Sequence, residues 1–171
     1  FKPSGPKKRL ITYMPRKNKR DAAIISTILK NKKWFRDWEI VPIHGVDQKR
    51  VIELLQKSIG FLAFGHPEGF GLPLAEAAAC GCALIGYSGL GGREIFELAR
   101  KQNIGWEVEF GDWQGFVDGT KALVEELRDR PNELGEKLQK LSDDVRASYS
   151  FDKMTESVRR SLEVWESQLI Q

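Results

Sequence analysis

Residues 65–76 read Gly65-His66-Pro67-Glu68-Gly69-Phe70-Gly71-Leu72-Pro73-Leu74-Ala75-Glu76, and this stretch decides how the chain folds. Ahead of it, Gly60-Phe61-Leu62-Ala63-Phe64 has the length and composition of a buried strand. Behind it, Leu72 to Cys80 is almost entirely apolar or helix-forming. A strand, a glycine-bearing turn and a helix start are therefore expected. Such a turn leaves backbone N–H groups free and directs the positive end of a helix dipole outward, which suits an anion such as phosphate. Gly69 and Gly71, on either side of Phe70, let the backbone approach a ligand because neither carries a Cβ.

Two carboxylates bracket the turn. Glu68 directly precedes Gly69, and Glu76 follows eight positions later, about one turn into the helix. A carboxylate accepts two hydrogen bonds side by side, so each can hold the two hydroxyls of a vicinal diol. A phosphate cradle with a diol clamp on each side has the layout of a nucleotide-sugar: hexose diol, diphosphate, ribose diol.

The E-x7-E spacing from Glu68 to Glu76, within PEGFGLPLAEAAACG, resembles the signature of the donor-binding half of retaining GT-B glycosyltransferases, the group 1 glycosyltransferases. The resemblance implies that Glu68 meets hydroxyls of the transferred sugar and Glu76 meets the ribose. The backbone of Gly69, Phe70, Gly71 and Leu72 would then hold the diphosphate. The family has Gly-Arg after its first strand and Lys-Gly several residues later, both basic groups touching the diphosphate. Here Pro15-Arg16 and Lys19-Arg20-Asp21 stand at those places. Arg16 takes the first role, and Lys17, Lys19 and Arg20 compete for the second. Glu68 and Arg16 are accordingly the candidate catalytic residues. The loop around His44 stands where the family's backbone meets the nucleobase, with His44 either stacking on the base or simply exposed. Gly91, Gly92 and Glu94 stand at a Gly-Gly-x-x-Glu-like segment that helps close the donor pocket. Without the family, Glu68 is a solvated loop residue, Glu76 an exposed helix residue and Gly91-Gly92 a tight turn.

The rest of the chain alternates strands with helices. Leu10 to Met14 reads as a strand closed by Pro15, with Asp21 capping a helix to about Lys32. Trp38 to Pro42 is a second strand, after which Asp47 caps a helix with Val51, Leu54, Leu55 and Ile59 on its inner face. Cys82 to Tyr87 forms another, leading through Ser88-Gly89-Leu90-Gly91-Gly92 into a helix from Arg93 to about Gln102. Trp106 to Phe110 alternates like a half-buried edge strand. Asp112 and Pro131 open two amphipathic helices. Ser150 caps a last one, striped by Phe151, Met154, Val158, Leu162, Trp165 and Leu169. The predicted fold is α/β: a Rossmann-like parallel sheet with helices on both faces, which the resemblance makes the C-terminal half of a GT-B fold. Loops at the carboxyl ends of the strands form the binding edge. The terminal stripe docks either on this domain's own sheet or, by resemblance, on an amino-terminal domain.

A chain of 171 residues, 41% hydrophobic and 30% charged, suits one globular, soluble domain. The opening Phe1-Lys2-Pro3-Ser4-Gly5-Pro6 resembles a linker, so residues 1–9 are expected to lead from an amino-terminal acceptor-binding domain into a donor-binding domain at 10–171. No apolar run nears the roughly 20 residues that span a bilayer, and no signal-peptide pattern appears. Cys80 and Cys82 lack a second pair, and His44 and His66 lie far off, so buried free thiols are expected rather than a metal site. That fits a cytoplasmic setting, with peripheral membrane association left open. No metal or cofactor is expected, the nucleotide-diphospho-sugar being a substrate. The net charge of +3 conceals a crowd of cations: Lys7, Lys8, Arg9, Arg16, Lys17, Lys19 and Arg20. Lys7 to Arg9 read as a solvated face, whereas Arg16 and Lys17 follow a strand and belong to the binding edge. No base-stacking aromatics are interleaved with them, which argues against nucleic acid. A dinucleotide-binding oxidoreductase is disfavoured because G-x-G-x-x-G fails at Leu74 in one turn and at Glu94 in the other. A non-catalytic nucleotide-sugar or partner-binding module is the remaining alternative. The intact enzyme is expected to transfer a hexose with retention, and this domain alone to bind nucleotide but transfer little or nothing.

Overall fold

The computed structural model describes residues 1–169, with side chains through Glu166. Five strands, β1 Lys8–Tyr13, β2 Glu39–Pro42, β3 Ser58–Ala63, β4 Ala83–Gly86 and β5 Gly105–Glu107, form one sheet in the order β2-β1-β3-β4-β5. Every neighbouring pair is parallel. β3 (SIGFLA) and β4 (ALIG) are buried at every position, as central strands covered on both faces must be, and their sequences are accordingly apolar or small throughout. Among the described residues seven α-helices, α1 Lys19–Lys30, α2 Gln48–Lys57, α3 Leu72–Ala79, α4 Arg93–Lys101, α5 Trp113–Asp129, α6 Pro131–Ser148 and α7 Phe151–Leu169, and one short 3-10 helix, Lys33–Phe35, complete the fold. α5 lies against β4, β5 and α1; α2, α3 and α4 lie against strands β1, β3 and β4; and α6 packs over α3 and α4. The architecture is the expected Rossmann-like α/β fold.

Several local expectations are corrected. α1 starts at Lys19, with Asn18 as its N-cap, so Asp21 lies inside the first turn and accepts a hydrogen bond from the Tyr87 hydroxyl at 2.8 Å instead of capping. α2 ends at Lys57 and β3 begins at the next residue, which makes Ile59 a strand residue and not part of the helix face. Ser58 makes this abrupt junction possible: its buried hydroxyl accepts from Thr12 at 3.1 Å and faces the carbonyls of Gly60 and Leu10 at 2.7 and 2.9 Å. β5 stops at Glu107; beyond it only the Val108 amide continues the ladder, to Gly86 O at 2.8 Å, and Phe110 is exposed.

Lys7 is not a solvated cation. Its ammonium donates to Cys80 O at 2.6 Å and Leu55 O at 3.2 Å, beneath the amino ends of the strands. Residues 1–9 are therefore more than a linker, because Lys7 anchors them and Lys8 and Arg9 open β1. Cys80 and Cys82 are free and buried as expected, and burial pushes the Cys82 thiol up to about 11. At the α5–α6 elbow, Glu126 pairs with Lys137 and, at 2.5 Å, with Arg130. The Lys137 hydrogen bond is the main reason its carboxyl sits below the ordinary range.

The α7 stripe does not pack on this domain's sheet. Phe151, Met154, Val158, Leu162 and Trp165 are all more than half exposed; the Leu169 side chain lies outside the described residues. Among the described residues no helix is long and apolar enough to cross a membrane.

Candidate functional site

The sheet's direction of growth reverses at β1, which has β2 on one side and β3 on the other. In open parallel sheets ligands bind beyond the carboxyl ends of the strands at such a reversal. A cavity of about 170 Å³ lies there. Met14, Arg16 and Lys17 enter it from the loop after β1, and Ile43, His44 and Gly45 from the loop after β2. Phe64, Gly65 and Glu68 line it from the turn after β3, with Pro73 and Leu74 from α3 and Tyr87 and Ser88 from beyond β4.

The turn after β3 is held by the turn after β4. Glu68 N–H donates to Gly89 O at 2.8 Å and Gly91 N–H donates to Glu68 O at 3.3 Å, a one-residue parallel bridge between Glu68 and Leu90. The contact is backbone on backbone: a Cβ on Gly91 would fall on the carbonyl oxygen of Gly69. Gly71 then takes a left-handed conformation (φ +76°) and caps α3, a geometry that glycine adopts without strain. Among the described residues, none accepts a hydrogen bond from the amides of Gly69, Phe70, Gly71 or Leu72. The segment between Glu68 and Pro73, which both line the cavity, thus carries a row of open donors, the arrangement that attracts anions, while its own four residues stand outside the lining.

Arg16, Lys17, His44 and Glu68, four of the residues singled out in the sequence, line one cavity. Others stand elsewhere. Arg20, together with Lys19, is exposed in the first turn of α1 and does not line it. Gly91 and Gly92 buttress the Gly69 turn from behind rather than facing the cavity, and Glu94 is engaged with the Tyr149 hydroxyl at 3.1 Å. Phe70, Leu72 and Glu76 line a neighbouring groove of about 550 Å³, which Tyr149 and Met154 also line. There the Phe70 ring meets Tyr149 edge-on at 5.0 Å. Glu76 is half-buried in that groove, and burial raises its carboxyl above the ordinary value. The two glutamates of the E-x7-E spacing thus line different spaces, Glu68 the cavity and Glu76 the groove. One turn of α3, from Pro73 to Glu76, separates the two lined spaces.

Two residues that the sequence reading passed over shape the site. The Asn18 side-chain amide donates to Phe64 O at 2.5 Å and His66 O at 3.1 Å, pinning the loop after β1 to the turn after β3. Tyr87 lines the cavity while its hydroxyl donates to Asp21 and accepts from Gly111 N–H at 3.3 Å. Burial above all, and then the Asp21 carboxylate, push its phenol up to about 12, so it stays a neutral donor. The available signal was position: Asn18 ends the loop after β1, and Tyr87 is the first residue past β4.

A family model described as "Glycosyl transferases group 1" matches residues 39–141, from the start of β2 to well inside α6. The matched segment includes the Glu68-to-Glu76 turn and both glycine turns, and leaves β1 and Arg16 ahead of it. A search of curated proteins found no match. With well over half of its residues accounted for in this way, the chain belongs to the group 1 glycosyl transferases.

Proposed function

We propose that this domain binds a nucleotide-diphospho-sugar at the β1/β3 edge and that, within an intact two-domain enzyme of GT-B architecture, the sugar is transferred with retention. The observation that carries the reading is the run of open amides from Gly69 to Leu72, flanked in the chain by Glu68 and Pro73, two residues of the cavity that Arg16 and Lys17 also line. Charge that develops on a leaving diphosphate would meet two cations and preorganised N–H dipoles, the kind of stabilisation that lowers the barrier most. Glu68 supplies a carboxylate for sugar hydroxyls. The cavity's 170 Å³ falls below the roughly 300–1,000 Å³ of pockets that enclose a whole small ligand. It therefore takes one part of the donor, and the remainder lies along the open edge. In this reading Glu76, one turn along α3 from Pro73, receives the ribose, and the loop at His44 borders the base.

Calorimetric titration with UDP, GDP and ADP and their sugars tests the proposal. One nucleotide is expected to bind, and no heat with any of them at millimolar concentration would overturn it. A charge-assisted hydrogen bond contributes about 1.5–3 kcal/mol, so Glu76→Ala should weaken nucleotide binding by about 10- to 100-fold. Unchanged affinity would take Glu76 out of the site. Gly69→Ala gives a complementary test. No atom lies within 4 Å of the added Cβ, so stability should hold. The methyl group would stand where a diphosphate needs to approach the amides, and affinity should fall by about tenfold or more.

A further inference from the structure

The cations near the start of the chain divide between the two ends of the sheet. Arg16 and Lys17 lie at its carboxyl end; Lys7, Lys8 and Arg9 lie at its amino end. β1 separates the groups by about 20 Å, at ~3.3 Å per residue. At the amino end a cavity of about 720 Å³ opens between the first residues of the chain and the α5–α6 elbow. That volume lies within the roughly 300–1,000 Å³ range of small-ligand pockets.

Its lining is of one electrical sign. Lys8, Arg9 and Arg128 border it, and among the described residues no carboxylate lines it. Arg128 is paired with Asp129 at 2.6 Å. Lys7 is already engaged by two backbone carbonyls. Lys8 and Arg9 have no ion-pair partner among the described residues. The floor, by contrast, is hydrocarbon: Pro3, Leu127 and Pro131 stand part-exposed over the buried Ile59, Leu134 and Leu138. A cleft with walls of low polarity and a rim of one sign concentrates counter-ions. A bare anion would leave the floor wetted, and a neutral hydrocarbon would leave the rim cations unmatched.

We propose that this amino-edge cavity is a second ligand site for an amphiphilic anion, its phosphate or carboxylate head against Lys8 and Arg9 and its apolar body over Pro3, Leu127 and Pro131. The site lies at the opposite end of the sheet from the Gly69 turn and does not depend on the nucleotide-sugar reading. The same chemistry is offered by a free alkyl phosphate and by the headgroup and first methylenes of an acidic membrane lipid.

The test titrates the full chain with decyl phosphate below its critical micelle concentration, with inorganic phosphate and decanol as controls. A second arm measures flotation with vesicles of phosphatidylcholine alone and with added phosphatidylglycerol. Decyl phosphate is expected to bind at least tenfold more tightly than either control. The double variant Lys8→Glu/Arg9→Glu should lose that preference. Gly135→Phe is the sharper variant: Gly135 lines the cavity with open space around it and sits within α6, so a ring there plugs the floor without altering charge or straining the helix. It should weaken decyl phosphate at least tenfold with an unchanged melting temperature, and this control also excludes adsorption to the exposed α7 stripe. Flotation only with the acidic vesicles, lost in Gly135→Phe, would assign the head to a membrane lipid; decyl phosphate binding without flotation would assign it to a soluble anion. No binding in either arm, or binding that the folded Gly135→Phe variant retains, would overturn the proposal.

Discussion

Glu68→Gln in the intact enzyme is expected to slow sugar transfer about 100-fold while nucleotide affinity changes by less than about threefold. The asymmetry follows from where Glu68 sits. Its backbone is fixed on both sides, by Gly89 O and Gly91 N–H, and its side chain folds back over Gly65 into the cavity. A carboxylate carried on so fixed a backbone can orient a sugar, and misplacing a reacting group by an ångström is worth about two decades in rate. The amide keeps the shape but loses the charge and one of the paired acceptors. In the proposed reading the nucleotide is held by other groups, the Gly69–Leu72 amides, Arg16 and Lys17, so its affinity should survive. Steady-state kinetics with the donor varied, beside calorimetry with the nucleotide alone, separates the two quantities. A loss confined to nucleotide affinity, with turnover intact, would move Glu68 to the wrong end of the donor.

Gly91→Ala is expected to cost about 3 kcal/mol of stability, the upper end of the range for overpacking. For a chain of this size that corresponds to a fall in melting temperature of about 10 °C. Most overpacking is relieved when a side chain turns aside. Here the added methyl meets the carbonyl of Gly69, and Gly69 belongs to the turn proposed to hold the diphosphate. Relief requires the two turns to separate, which breaks the hydrogen bonds at Glu68 and spreads the open amides apart. Nucleotide binding should fall together with stability. Gly69→Ala, expected to reduce binding at constant stability, serves as the contrast, and thermal unfolding of both variants decides the matter. A Gly91→Ala protein as stable as the parent would mean that the turns do not meet as described.

The fold was legible because its signals are local and redundant. Buried strands such as Phe61-Leu62-Ala63 and Ala83-Leu84-Ile85 are apolar runs of the right length, and glycine turns follow them where a parallel sheet needs them. What was misread depended on contacts distant in sequence. Asp21 looked like an N-cap, and only the approach of Tyr87 from β4 shows why its carboxylate is used elsewhere. Lys7 looked solvated because nothing in its own neighbourhood reveals the carbonyls of Leu55 and Cys80. Ile59 fits a helical period and a strand equally well, and the hydroxyl of Ser58, satisfied by Thr12 and by β-strand carbonyls, decides for the strand. Arg16, Lys17, His44 and Glu68 share one cavity because all four follow strands. Arg20 and Gly91 also lie past strand ends, but one falls within a helix turn and the other turns its backbone toward Gly69. Glu76 shows the limit of spacing arguments: eight residues set its distance from Glu68 along the chain, but the wall of α3 sets which space it enters.

The two cysteines at the end of α3 are sealed from solvent, and burial makes both reluctant to ionise. Alkylating reagents attack the thiolate, so the native chain should be almost inert to iodoacetamide. Any label that does accumulate records an excursion in which the protein opened far enough to admit the reagent. The chain thus carries its own stopwatch for breathing motions, readable by mass spectrometry with no probe installed.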